Sequence, residues 1–161
     1  DADGETLADF TERFFGELDA SGLGHLILDL RMNKGGNTSL EWPFLHRLIA
    51  HRVNQPGRLF AIIGRRTFSA ALNFATYLDL HTQAIFVGEP TGSSPQFIGE
   101  SIEFRLPWSG TRVNISDLRW QSGWPWDRRP WIPPDVYAPP TWDAYRSGRD
   151  VALEAIRGAR S

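Results

Sequence analysis

Ser69 stands in Arg65-Arg66-Thr67-Phe68-Ser69-Ala70-Ala71, where an apolar strand-like run ends and a helical run begins. A serine there admits two readings. Its hydroxyl can cap the helix, which stabilises by about 1 kcal/mol. It can instead act as a nucleophile at the positive end of the helix, with the Ala70 N–H donating to a developing oxyanion. The nucleophile elbow Gly-x-Ser-x-Gly is absent. A second turn, Asn33-Lys34-Gly35-Gly36-Asn37, follows another strand-like run. Paired glycines permit positive φ and let backbone N–H groups approach a ligand closely, so Gly35 and Gly36 can also serve an oxyanion. They equally suit an ordinary strand-to-helix turn.

Asp127, in Asp127-Arg128-Arg129-Pro130, can orient a catalytic base, or can pair with Arg128 or Arg129 at the surface. The histidines are His25, His46, His51 and His81, and none has metal-ligand spacing with a carboxylate. His81 is twelve residues beyond Ser69; on a continuous helix that is about 18 Å, too far to take its proton. No strong general base is therefore visible. Val87-Gly88-Glu89-Pro90-Thr91-Gly92-Ser93-Ser94 is a rigid turn that either shapes a groove or redirects the chain.

These residues need elements to hold them. Leu7, Phe10, Phe14, Phe15 and Leu18 recur at helical spacing over residues 5–20. The runs 25–30, 59–64 and 84–88 read as buried strands, and helical patterns over 38–52 and 69–80 separate them. Strands alternating with helices predict an α/β layer with a mostly parallel sheet. Residues 102–106 and 112–115 flank Pro107-Trp108-Ser109-Gly110 and predict a hairpin. Residues 117–143 hold five of the seven tryptophans and little periodicity, which predicts a long packed loop. Trp124, Trp126, Trp131 and Trp142 can line a pocket or fill core. A short helix is expected over 149–158.

At 161 residues the chain suits one domain. The net charge of −2 gives no electrostatic argument for nucleic acid or an anionic membrane surface. The absence of cysteine excludes disulfides, thiolate zinc sites and cysteine nucleophiles. No apolar run approaches the ~18 residues of a membrane span. The opening Asp1-Ala2-Asp3, without Met or a signal-like stretch, reads as the start of a cut piece of a longer protein.

Four segments occur in a recognisable order: LILDLRMNKGG at 26–36, RRTFSAALNFA at 65–75, FVGEPTGSSP at 86–95 and IPPDV at 132–136. With them the chain resembles the catalytic domain of the C-terminal-processing (tail-specific) serine peptidases, which include the tricorn core. WDAYRSGRDVALEAI at 142–156 resembles the end of the tricorn-like branch. The resemblance implies a crotonase/ClpP-like α/β fold over residues 1–161. It implies Ser69 as nucleophile, with an oxyanion hole from the Ala70 N–H and the Gly36 N–H, Gly35 being its neighbour. Many members carry a lysine base where this chain has Ser94, and Gly88-Glu89-Pro90-Thr91 stands for their Gly-Glu-Lys-Thr. The tricorn-like branch uses instead a histidine from the start of the domain, here expected before Asp1, and an acid near the position of Asp127.

The resulting expectation is a serine peptidase lacking its N-terminal portion and poorly active alone. It acts on peptide or protein substrates, needs no cofactor or metal, and is compatible with a periplasmic or secreted setting. The rival from another class is a non-catalytic module that binds a small ligand or peptide, with the 120–142 segment as walls. Acyl-CoA chemistry, suggested by the fold alone, has no motif in its support.

Overall fold

The computed structural model describes residues 4–158. Helix α1 (Leu7–Ser21) starts in a reciprocal cap: the Asp9 N–H donates to the Thr6 hydroxyl and the Thr6 N–H to the Asp9 carboxylate. Strands β1 (Leu26–Asp29), β2 (Leu59–Ile63) and β3 (Ile85–Gly88) alternate with helices α2 (Trp42–Ala50) and α3 (Ala70–His81). All three strands run parallel, with Leu26 opposite Leu59 and Phe60 opposite Ile85.

Two elements depart from the sequence expectation. The pattern over 38–52 is divided into a 3-10 turn (Thr38–Leu40) and α2. Pro43 is the cause: it has no N–H to give to a preceding turn and is tolerated only in the first turn of a helix. The presumed loop 117–143 contains short strands β7 (Leu118–Arg119) and β8 (Val136–Tyr137), and α4 (Trp142–Arg146) starts within it. β8 adds a fourth parallel strand beside β3, giving the order β1-β2-β3-β8. β4 (Ile98–Gly99) pairs antiparallel with β7, and β5 (Ile102–Arg105) with β6 (Arg112–Ile115). Helix α5 (Val151–Gly158) ends the described chain.

The sheet separates two apolar layers, and β2 feeds both because successive side chains point to opposite faces. Leu59, Ala61 and Ile63 join Phe15, Leu45, Leu48, Leu72 and Leu78 on one side. Phe60 and Ile62 join Val87, Ala138, Ala152 and Ile156 on the other. Burial on both faces explains the unbroken apolar run of β2. Trp124, Trp126, Trp131 and Trp142 are not core; all four are exposed, and Trp124 stacks on Trp126 with ring centroids 5.2 Å apart. Among the described residues no helix is long and apolar enough to cross a membrane.

Candidate active site

In a parallel sheet the turns after the strands gather at one edge, where ligands of such folds bind. Here the turns after β1 and β2 are stapled to each other. The Thr67 hydroxyl donates to the Leu30 carbonyl at 2.8 Å and accepts from the Gly64 N–H at 3.0 Å. The Phe68 N–H donates to the Asn33 carbonyl at 3.3 Å. The turn after β3 braces them from the other side, where Gly92 donates its N–H to the Thr67 carbonyl. A side chain at Gly92 would meet the Arg65 carbonyl oxygen at 2.4 Å.

Ser69 sits at the end of this stapled turn with φ 55° and ψ −129°. A non-glycine residue in that region carries strain of about 1–3 kcal/mol and persists only where its surroundings hold it. Its carbonyl starts α3, accepting from Leu72 and Asn73 at 2.9 and 3.0 Å. Its hydroxyl makes no capping hydrogen bond. Ser69 is only partly buried and lines a cleft of about 290 Å³ together with Gly36, Asn37, Thr38, Glu100 and Trp120.

The glycine pair divides its work. Gly35 has φ 103°, and a Cβ on it would lie 2.6 Å from Ser69 Cβ and 2.7 Å from the Ala70 nitrogen. Only glycine lets the two turns close to this distance. The Gly35 N–H is already used, donating to Asn33 Oδ1 at 2.9 Å. Among the described residues, the N–H groups of Gly36 and Ala70 donate to no partner. Ala70 is the first residue of α3, where an N–H has no intrahelical acceptor. The expected site residues Ser69, Ala70, Gly35 and Gly36 are thus brought to one place.

Asp127 stands elsewhere. Its carboxylate accepts from Arg129 Nε at 3.1 Å and Nη2 at 2.7 Å, and from the Arg129 N–H at 3.0 Å. Arg129 Nη2 also reaches Asp79 at 2.7 Å. Hydrogen bonds from Arg129 hold the Asp127 carboxyl below its ordinary pKa. A side chain on Gly123 would lie 3.5 Å from Asp127 Oδ2 and 3.6 Å from Thr76, so Asp127 flanks the middle of α3. Thr76 is seven residues past Ser69, about 10 Å along the helix. The pairing with Arg129, one of the two arrangements the sequence allowed, is the one observed.

No histidine lines the cleft. His51 Nε2 is 2.9 Å from Asp19, His46 packs on Trp42, His81 ends α3, and His25 precedes β1 at the opposite edge of the sheet. The sequence reading did not single out Asn37, Thr38 or Glu100, and it reached Trp120 only as the first residue of the 120–142 segment offered as walls. One signal was available, since the buried Asn73 on α3 required polar partners. Its Nδ2 donates to the Thr38 hydroxyl at 2.9 Å, and its Oδ1 accepts from Ser122 at 2.7 Å. A larger cavity of about 410 Å³ opens beside Arg31, Ile63, Gly88, Tyr145 and Asp150, without Ser69.

No family model and no curated protein matches the chain. Solved structures do. A Parabacteroides merdae structure, provisionally assigned as a peptidase, aligns with TM-score 0.68 and 20% identity over 96% of this chain and 56% of its own. A Bacteroides fragilis structure, provisionally assigned as an S41 protease, gives 0.62 and 17% over 92% and 48%. The photosystem II D1 C-terminal processing protease gives 0.60 and 22% over 99% and 44%. This chain spans about half the length of these structures. The mixed α/β fold, with its four-stranded parallel sheet and packed helices, is similar to that of S41 peptidases.

Proposed function

We propose that residues 1–161 form the catalytic part of a serine peptidase of the C-terminal-processing kind, with a crotonase/ClpP-like core. The observation that carries this reading is Ser69: a strained, uncapped serine that lines a cleft and adjoins the Gly36 and Ala70 N–H groups, which donate to no partner among the described residues. A helix cap needs neither the strain nor the free hydroxyl. Attack on a carbonyl needs both an exposed hydroxyl and donors placed for the oxygen that becomes negative.

In this reading Ser69 Oγ attacks the peptide carbonyl carbon and its proton passes to a base. The carbonyl oxygen becomes an oxyanion that accepts from the Gly36 and Ala70 N–H groups. Collapse expels the amine, which takes the proton, and water then hydrolyses the acyl-serine. The base that the resemblance to the tricorn-like branch implies is a histidine from the start of the domain; none of the four histidines in these 161 residues lines the cleft. Asp127 anchors its loop to α3 through Arg129 and Asp79, and in this reading it is the acid that orients the base.

Peptide hydrolysis by the protein at its natural length tests the proposal. Ser69→Ala is expected to lower kcat by at least ~10³-fold with folding intact. Unchanged turnover in a folded Ser69→Ala protein would overturn it.

A further inference from the structure

Among the residues that line the cleft beside Ser69, one is charged, Glu100. Among the described residues its carboxylate has no hydrogen-bond or ion-pair partner. Its backbone is held at φ 50°, a second strained non-glycine position. What holds it is the β4–β7 ribbon: Gly99 pairs with Leu118, and the Trp120 N–H donates to the Phe97 carbonyl at 2.8 Å. Gly99 lies so close to Trp120 that a Cβ there would be 2.9 Å from the indole Cδ1. Trp120 also packs against the main core. An aromatic residue anchored in the core and an acidic residue without a partner among the described residues therefore line the same cleft as Ser69. The nearby cations do not fill it: Arg119 donates to Gln96 at 3.0 Å, and Lys34 does not line the cleft.

We infer that Glu100 and Trp120 form a subsite for a cationic side chain, lysine or arginine, close to the bond presented to Ser69. The carboxylate supplies the opposite charge, and the indole covers the aliphatic stem or meets the cation over its face. The inference rests on the peptidase reading of the cleft and names its substrate class.

The test is an NMR titration of the full-length Ser69→Ala protein, in which nothing turns over, following the Trp120 indole resonance. The probes are acetylated, amidated alanine hexapeptides with one central lysine, norleucine or glutamate. Lysine is expected to bind roughly fivefold more tightly than norleucine, and glutamate most weakly. The lysine preference should shrink in 1 M salt and vanish in Glu100→Gln, a nearly isosteric change. Equal binding of lysine and norleucine, no binding of any peptide, or a preference that survives Glu100→Gln would each overturn it. Fluorophosphonate labelling of the wild type separates the two claims. Labelled Ser69 without lysine preference sinks only the subsite; lysine preference without labelling sinks only the nucleophile.

Discussion

At position 69 a side chain occupies a conformation that suits glycine, and it does so without using its hydroxyl as a cap. Ser69→Gly should therefore raise folding stability by about 1 kcal/mol while removing the chemistry. Ser69→Ala should be nearly neutral in stability, whereas loss of a true cap costs about 1 kcal/mol. Urea unfolding of both variants decides the matter; a clear loss of stability in Ser69→Ala would restore the cap. The adjoining glycines should behave oppositely. Gly35→Ala meets Ser69 Cβ and adopts positive φ, so a loss of roughly 2–4 kcal/mol is expected. A Cβ on Gly36 has open space, so Gly36→Ala should fold normally. The types and order of these residues were legible in the sequence. That Ser69 leaves its hydroxyl out of the helix cap was not, because this turns on a backbone conformation that no residue type encodes.

At the scale of elements, Arg31 links the end of β1 to the start of α5. Its guanidinium reaches Asp29 at 2.8 Å and Asp150 at 2.7 Å, while Asp150 also accepts from the Ala152 and Leu153 N–H groups. Arg31→Ala should cost roughly 1–3 kcal/mol through lost charge-assisted hydrogen bonds. Hydrogen exchange should quicken first in α5; uniform loss of protection across the chain would contradict this linkage. α1 was readable because its apolar residues recur at helical spacing on one buried side, and β2 and α3 because their apolar runs follow a core that covers most of their surface. β8 was not: two residues between Pro134 and Pro139 have no period, and only pairing with β3 makes them a strand. The exposed tryptophans also escaped the reading, since burial is a property of neighbours rather than of residue type.

For the molecule as a whole, pH should act through two opposed sets of carboxylates. Burial pushes the Glu41 carboxyl from 4.5 up to about 8, and one of its oxygens is buried without a partner among the described residues. The folded chain then holds a proton that the unfolded chain has lost, so stability falls as pH rises from about 4.5 to about 8. Asp127 and Asp150 lie below their ordinary pKa through hydrogen bonds from Arg129 and Arg31. Their contribution is complete above the ordinary carboxylate pKa and disappears as pH drops below it. Stability should peak in weak acid, and Glu41→Gln should flatten only the alkaline side. Denaturant unfolding across pH checks this, and an unchanged alkaline fall in Glu41→Gln would contradict it.

The most direct measurement on the central claim is a covalent one. The full-length protein, treated with a fluorophosphonate and digested, should carry the adduct mass on the peptide containing Ser69, and none after Ser69→Ala. A hydrolytically active protein labelled at another residue, or not labelled at all, would contradict the assignment of Ser69 as nucleophile.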